Sequence, residues 1–246
     1  LAWGIGFADD VWTLRARWKL LGQISLGFLA VYFGFSIESI EGPFFQKMDL
    51  GFWAIPLSIL WIVGIINAIN LIDGLDGLAS GITLVILITL SWLAHEMGKI
   101  ELMLLMVVLI GSIVSFLSFN RPPASIFMGD SGSYFLGYLV AILSIWVCEK
   151  SSGTVSLFPL LILAVPIIDT TFSIFRRFLK GIPFYSADKD HLHHRLLSKG
   201  LTPTQAVFIL SGISIIYGSL ALSAHYFPEF QSYVYLSGIG LIWVLL

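Results

Sequence analysis

Long stretches without a charged side chain recur along the chain, and they constrain its fold more than any other feature. About 20 residues of α-helix are needed to cross the roughly 30 Å hydrocarbon layer of a bilayer. Membrane-spanning strands would be shorter and would alternate polar with apolar residues, whereas these stretches are apolar throughout. The sequence therefore predicts an all-α, polytopic integral membrane protein with about eight transmembrane helices, at residues 20–37, 50–72, 77–94, 102–120, 131–148, 151–168, 201–226 and 230–246.

The composition excludes an ordinary soluble domain. Hydrophobic residues make up 57% of the chain and charged residues 11%, and the mean hydropathy is +0.93,. Cys148 is the single cysteine, so no disulfide can form within the chain. We expect residues 1–246 to form one membrane domain. Because the chain starts at Leu1 without an initiator methionine, we also expect a fragment whose N-terminal helices are missing.

The charged residues are sorted between the two sides of this predicted helix array. With helices in series, alternate connections share a side. Ten of the 13 lysines and arginines fall on one side, so the positive-inside rule places that side in the cytoplasm,. All six glutamates fall on the other side. Eight of the nine aspartates share the basic side, which indicates a metal and phosphate site: Asp9, Asp10, Asp73, Asp76, Asp130, Asp169, Asp188 and Asp190.

Two of the four cytoplasmic segments are rich in oxygen ligands. Asp9 and Asp10 point about 100° apart on a helix, so both can serve one site only near a helix end. The alternative there is a solvated acidic turn. In the second segment the polar side chains Asn67, Asn70, Asp73 and Asp76 repeat every three residues. Such a row of oxygen atoms is typical of a Mg²⁺ site, and the neighbouring glycines would admit a phosphate. A simple glycine-rich helix break is the alternative.

The third segment follows a predicted helix end. Pro122 and Pro123 break the helix after Asn120,. Asp130 then opens the next apolar stretch, where an aspartate can cap the helix and free amides can face an anion. Capping alone would also explain this residue. Phe127 is either a packing residue or an aromatic ring placed to stack on a base.

The fourth segment holds three histidines within four residues, His191, His193 and His194, inside a basic loop. Imidazole N–H groups can donate to phosphate oxygens at neutral pH. A zinc site is an alternative, although the carboxylates favour a harder ion. A solvated start of an amphipathic helix is another.

Taken in order, these segments resemble a known family, the polyprenyl-phosphate N-acetylhexosamine-1-phosphate transferases. Its members include enzymes that begin O-antigen, enterobacterial common antigen and teichoic acid linkage units, and the phospho-MurNAc-pentapeptide translocase. The matching motifs lie between residues 7 and 201 and are Asp9-Asp10, Asn70-Leu71-Ile72-Asp73-Gly74-Leu75-Asp76-Gly77, Phe127-Met128-Gly129-Asp130-Ser131-Gly132-Ser133 and His191-Leu192-His193-His194.

The resemblance implies a role for each matching residue. Asp130 would be the principal ligand of Mg²⁺, for which Mn²⁺ can substitute. The catalytic residues implied are Asp9 or Asp10 near the lipid phosphate, Asp73 near the diphosphate, and His193 and His194 near the sugar phosphate. The substrate-binding residues implied are Lys19, Asn70 and His191, together with Asp76, Asn120 and Phe127 at the uracil. Thr13 departs from the pattern, because some members have lysine there, and Arg15 or Arg17 would then supply the charge.

The activity implied is transfer of a HexNAc-1-phosphate from a UDP-sugar to undecaprenyl phosphate with release of UMP. The separated histidines of the fourth segment favour GlcNAc-1-phosphate over the translocase, whose branch tends to three consecutive histidines. The expected setting is the cytoplasmic face of the bacterial inner membrane. Expected partners are undecaprenyl phosphate, a UDP-N-acetylhexosamine and membrane lipid, with no nucleic acid, and a homodimer is left open. An ion-coupled transporter is the alternative from another class, and its carboxylates should lie near mid-bilayer.

Overall fold

A computed structural model describes residues 1–151, 153–181 and 191–245, together with the side chains of these residues except at 151 and 243–245. Within this part the chain is almost entirely helical. The helices are α1 (Ala2–Trp12), α2 (Ala16–Tyr32), α3 (Ala54–Ile72), α4 (Leu78–Glu96), α5 (Ile100–Asn120), α6 (Gly129–Cys148), α7 (Phe158–Ile162), α8 (Ala164–Leu179), α9 (Leu192–Ser198), α10 (Pro203–Tyr226) and α11 (Gln231–Leu245).

The helices confirm an all-helical, multi-pass membrane protein. Among the described residues, five helical segments are long and apolar enough to cross a membrane: Gly51–Ile72, Leu78–Glu96, Ile100–Asn120, Gly129–Cys148 and Pro203–Tyr226. The predicted count of eight is not confirmed. The first and last predicted stretches correspond to α2 and α11, which have 17 and 15 residues and are shorter than these five segments.

The apolar stretch at 151–168 does not form the single helix predicted for it. Its first residues belong to two short strands, and the helix that follows breaks at Leu163 before α8 continues to Leu179. Pro159 and Pro166 both lie in the first turn of a helix, where the missing N–H of proline has no intrahelical partner to lose,. The stretch is apolar because it is buried among other elements, and its hydropathy alone did not reveal the break.

A small sheet joins the loops at the end of the molecule away from the aspartates of α3 and α6. Its strands are β1 (Ser39–Gly42), β2 (Phe45–Asp49), β3 (Glu149–Ser151) and β4 (Thr154–Ser156), in the order β2-β1-β4-β3. β1 is antiparallel to β2 and parallel to β4. The hydroxyls of Ser39 and Thr154 lie 2.8 Å apart across the parallel pair. The sheet was not predicted from the sequence.

The core is centred on α3, α4 and α6, each of which contributes fully buried aliphatic side chains, among them Ile66, Leu90 and Val140. α3 and α6 pack closely because Gly137 faces the backbone of α3. A Cβ atom at position 137 would lie 2.8 Å from the Cα of Ile66. At its far end α6 is fixed by Lys99, whose Nζ donates to the carbonyl oxygens of Trp146 and Glu149, both at 2.6 Å. A lysine there satisfies terminal carbonyls and opposes the helix dipole.

The α3–α6 crossing can be tested with Gly137→Ala. The added Cβ would meet backbone atoms of Ile66, which cannot rotate away, so α3 and α6 must separate. Overpacking of this kind typically costs about 1–3 kcal/mol, and we expect a lower thermal unfolding midpoint in detergent. Gly111→Ala on α5 is the control, because nothing in the described part of the chain lies within 4 Å of its Cβ position. An unchanged midpoint for Gly137→Ala would contradict the close crossing.

Candidate functional site

The site is built around the first turn of α6. Asp10, near the end of α1, accepts hydrogen bonds from the backbone N–H of Asp130 at 2.8 Å and of Ser131 at 2.9 Å, and from the hydroxyl of Ser131. Asp130 is therefore not the cap that the sequence left open as an alternative. Its own backbone is capped by another helix, and its side chain is directed to other partners.

Gly6 allows α1 to approach α6 this closely. A Cβ atom at position 6 would lie 2.6 Å from the Cα of Ser131. Gly6 and Asp10 are four residues apart and so share one face of α1. The same face of α1 thus supplies both the space and the carboxylate that fix the start of α6.

The Asp130 carboxylate lies between an amide and an ammonium group. Its Oδ1 accepts from Asn70 Nδ2 at 2.8 Å, and its Oδ2 is 3.4 Å from Lys19 Nζ. Lys19 also forms an ion pair with the buried carboxylate of Asp9. Asn70 donates in addition to the Ser133 hydroxyl at 2.9 Å. The predicted residues Asp9, Lys19, Asn70 and Asp130 therefore form one connected network.

The carboxyl groups of Asp9 and Asp10 in α1 both have pKa values below the ordinary value of an aspartate. Burial disfavours ionisation of Asp9, but its hydrogen bonds with Asp130, Lys19 and the Leu14 N–H lower its pKa overall. Burial has the same opposing effect on Asp10, whose bonds to Ser131 and the Asp130 N–H lower its pKa. Both side chains are therefore ionised at neutral pH.

The pKa of the Asp73 carboxyl is affected by burial and by the negative charge of this network. It follows the last residue of α3 and is partly buried. Burial, and next the negative charges of Asp130, Asp76 and Asp10, raise the pKa of the Asp73 carboxyl to about 7. Burial is the larger of these two causes, and a cation bound nearby would oppose both by favouring the ionised carboxylate.

Asp76 and Asn120 organise the loop between α5 and α6. Asp76 Oδ2 accepts from the backbone N–H of Ala124 at 3.0 Å. Asn120 is 2% exposed; its Oδ1 accepts from Gly77 N–H and the Ser80 hydroxyl, and its Nδ2 donates to the carbonyl of Ile126. The side chain of Phe127, on the same loop, is 73% exposed. Contact of these three residues with a uracil remains a prediction.

The histidines lie beside the turn that carries Asp73. His193 is 2% exposed, and a Cβ atom at Gly74 would lie 2.5 Å from its Nε2. Burial, and next the neighbouring His194, lower the pKa of His193 to about 4, so its imidazole is neutral at neutral pH. His194 is exposed. Asp188 and Asp190 lie outside the described residues.

No individual role was predicted from the sequence for Gln23 or Asp169, and Asn67 was predicted only as part of the row of oxygen ligands in the second segment. Gln23 and Asn67 exchange side-chain hydrogen bonds between α2 and α3, at 3.3 and 2.7 Å. Asn67 thus points away from Asp130, although it continues the same three-residue repeat. Asp169, buried in α8, bonds to His191 at 2.9 Å. Its position at the end of an apolar stretch was the available signal, since a carboxylate there is costly unless it is bonded.

The donor set fits a hard cation better than a soft one. Asp73, Asp130 and Asn70 offer oxygen atoms, which Mg²⁺ and Mn²⁺ prefer. In the part of the chain that the structure describes, no three His, Cys, Asp or Glu side chains converge closely enough to hold a metal by themselves. This limit applies to zinc and Mg²⁺ alike, but Mg²⁺ is commonly held by one or two carboxylates together with substrate phosphates and water.

Comparison with known proteins identifies the class to which this site belongs. The model of glycosyl transferase family 4 matches residues 1–148, which include three of the four motif segments. The chain therefore belongs to glycosyl transferase family 4. The resemblance drawn from the motifs is confirmed at this level.

Individual relatives give the same picture. The chain is 44% identical over 220 residues to a Bacillus subtilis protein named probable undecaprenyl-phosphate N-acetylglucosaminyl 1-phosphate transferase. The aligned residues make up 89% of this chain and 62% of that protein. It is 37% identical over 112 residues, 41% of this chain and 28% of the relative, to a Mycobacterium leprae decaprenyl-phosphate N-acetylglucosaminephosphotransferase. The chain thus spans less than two thirds of the length of these relatives.

The raised pKa of Asp73 predicts a pH-dependent stability. Without divalent cations, the pKa of Asp73 is about 7 in the folded chain, whereas the ordinary pKa of an aspartate, expected in the unfolded chain, is 3.8. The folded state then binds more protons between these limits, so the free energy of unfolding should fall as pH rises through this window. We expect the thermal midpoint in EDTA to fall from pH 5 to pH 8, and to fall less in Asp73→Asn.

The control for this measurement is Asp49→Asn, at an exposed residue of β2 on the other side. Its pH profile should match that of the unsubstituted protein. Mg²⁺ at pH 8 should raise the midpoint of the unsubstituted protein more than that of Asp73→Asn, because the cation replaces the lost proton. Identical pH profiles for Asp73→Asn and the unsubstituted protein would contradict the prediction.

Proposed function

We propose that the chain belongs to an enzyme that transfers GlcNAc-1-phosphate from UDP-GlcNAc to undecaprenyl phosphate and releases UMP. Such a product begins a cell-envelope polysaccharide or a teichoic acid. The observation that supports this most strongly is the connected network at the start of α6, which joins Asp9, Lys19 and Asn70 to Asp130. These residues come from separate motifs of the family, and the network links them in one place.

Two anionic substrates must meet in this reaction, so their repulsion has to be compensated. We propose that Asp130 and Asp73 hold Mg²⁺, or Mn²⁺ in its place. A divalent cation bound there would neutralise charge on the transferred phosphoryl group. The chain's own residues support this role: Asn70 orients the Asp130 carboxylate, and Lys19 supplies fixed positive charge between Asp9 and Asp130.

The remaining steps are assigned to the lipid phosphate and its neighbours. An oxygen of undecaprenyl phosphate forms a bond to the β-phosphorus of the UDP-sugar, and the bond from that phosphorus to the bridging oxygen breaks, so UMP leaves. Asp9 accepts the Leu14 N–H and shares Lys19 with Asp130, whereas the two oxygens of Asp10 are bonded to the first turn of α6. We therefore assign Asp9 to the reacting end and Asp10 to positioning. Direct attack and an intermediate on an aspartate both fit these residues.

The nucleotide is proposed to bind at the loop between α5 and α6. Phe127 exposes most of its ring there and can stack on uracil,. Asp76 and Asn120 hold the loop by bonds to Ala124 N–H and Ile126 C=O. The neutral His193 and its neighbour His194 are proposed to face the sugar phosphate, and His191 to support them. Neutral imidazoles can donate to a phosphate without requiring an acidic pH.

Two alternatives are less well supported. The translocase of peptidoglycan synthesis shares the reaction type, but the relatives reported above are named for N-acetylglucosamine. An ion-coupled transporter would place carboxylates on broken helices near mid-bilayer. Here Asp73 follows the end of α3, and Asp130 lies in the first turn of α6. The carboxylates therefore lie at helix ends, as an interfacial enzyme requires.

The proposed setting is the bacterial inner membrane, with the site facing the cytoplasm. In the helix array predicted from the sequence, ten of the 13 lysines and arginines share the side of the aspartates, and the positive-inside rule would assign that side to the cytoplasm. Sealed right-side-out vesicles supplied externally with UDP-GlcNAc should yield no lipid product until detergent opens them. Product formed by intact vesicles of that orientation would reverse the assignment.

The reaction type can be tested with UDP-GlcNAc labelled in the β-phosphate. The full-length enzyme is supplied with undecaprenyl phosphate and Mg²⁺, and the fate of the label is followed. We expect label in the lipid product and UMP in solution. One phosphoanhydride is exchanged for another, so added UMP should drive the reaction backwards. Label retained in released UDP would instead show glycosyl transfer and overturn the proposal.

The role of Asp130 can be tested with Asp130→Asn. Asp10 caps α6, so this change should leave the helix start intact while it removes a charged oxygen. Loss of one electrostatic stabiliser typically costs about 10²- to 10³-fold in rate, and we expect kcat to fall by that order at unchanged expression. Asp49→Asn, on the other side, should retain full activity. Near-normal turnover of Asp130→Asn would show that this carboxylate does not hold the cation.

A further inference from the structure

Asp169 is a buried carboxylate that lies outside all four motif segments. It belongs to α8 and is 2% exposed. Burying a carboxylate is costly unless its oxygens are hydrogen-bonded, so the partners of Asp169 show what it is there to hold.

Both oxygens of Asp169 are bonded to the start of the histidine segment. Oδ2 lies 2.9 Å from Nδ1 of His191, and Oδ1 accepts the backbone N–H of Leu192 at 2.8 Å. Leu192 is the first residue of α9, where a helix has N–H groups without intrahelical partners,. As a carboxylate, Asp169 can only accept, so the proton of a neutral His191 must be on Nδ1. One side chain therefore sets both the helix start and the histidine tautomer.

The effect of this anchor extends to the turn that carries Asp73. The rings of His191 and His193 are parallel, with an interplanar angle of 2° and centroids 5.8 Å apart. His193 in turn packs on Gly74, where a Cβ atom would lie 2.5 Å from Nε2. Asp169 thus connects α8, through His191 and His193, to the Asp73–Gly74 turn.

We propose that Asp169 is a positioning residue of the site. It fixes His191 in the Nδ1–H tautomer and holds α9 so that His193 stays against the Gly74 turn. The expected effect on turnover rests on the proposed function, whereas the tautomer of His191 does not. Partners that orient metal-ligating histidines typically change metal affinity or activity by about 10- to 100-fold when they are replaced, and we expect an effect of the same order here.

Asp169→Asn separates positioning from simple packing. Asparagine has nearly the same shape and keeps an oxygen for the Leu192 N–H. Its amide N–H₂ would face Nδ1 of His191, which must then accept, so the proton of His191 moves to Nε2. A merely structural role would leave the tautomer unchanged. Thr171→Val, at an exposed residue of the same helix, is the control.

The tautomer is measured by NMR on protein labelled with ¹⁵N-histidine in detergent. The chain has five histidines, and the signals of His191 are assigned by their loss in His191→Gln. We expect Nδ1–H in the unsubstituted protein and in Thr171→Val, and Nε2–H in Asp169→Asn. Nε2–H in the unsubstituted protein would overturn the proposal without any variant having to fold. An unchanged tautomer in Asp169→Asn would overturn it as well.

Turnover gives the second measurement, on variants that elute as the unsubstituted protein does from a sizing column. We expect Asp169→Asn to lower kcat by about 10- to 100-fold with little change in KM for UDP-GlcNAc. If Asp169 acts through His191, the double variant Asp169→Asn/His191→Gln should be no slower than His191→Gln alone. If the loss of kcat in the double variant instead equalled the product of the losses in the two single variants, the proposal would be contradicted. Absence of UMP release by the unsubstituted enzyme would refute the proposed function, and the tautomer would still decide the role of Asp169.

Discussion

The bond between the Asp10 carboxylate and the first turn of α6 is the interaction on which the site depends. The first N–H groups of a helix have no partner within it, and that end carries partial positive charge. Asp10 satisfies two of these groups from a different helix, so the same contact that caps α6 also ties α1 to it. Because Asp9 precedes the capping residue and Asp130 lies on the capped turn, this contact brings the two carboxylates close enough for Lys19 to pair with both.

The arrangement that brings the carboxylates together also concentrates negative charge. Lys19 compensates part of it through Asp9 and Asp130. Burial, and next the negative charges of Asp130, Asp76 and Asp10, raise the pKa of Asp73 to about 7, so part of the negative charge still acts on this carboxyl. His193 adds no positive charge near neutral pH, because its pKa is lowered to about 4. A divalent cation is the simplest remaining source of charge, and this supports the proposed use of Mg²⁺.

The sequence predicted the helical membrane fold because apolar length is a local property. It did not predict the break in residues 151–168, since β4 depends on pairing with β1, more than a hundred positions away. The residues of the site divide in the same way, into those predicted from local sequence and those that depend on contacts between distant parts of the chain. Carboxylates and histidines were found from their local spacing, and the structure links them in one region. The contribution of Asp169 was missed because its meaning depends on His191, which the chain brings to it only after folding.

Chemical type alone therefore does not separate residues that touch substrate from residues that hold others in place. Asn120 uses both lone pairs of its oxygen and one of its two N–H groups within the protein,. It can add little direct bonding to a nucleotide, yet it sets the loop on which Phe127 exposes its ring. Asp10 acts similarly on α6. Each of them joins two separate elements by hydrogen bonds, so a motif match to a transferase marks positioning residues as readily as reacting ones.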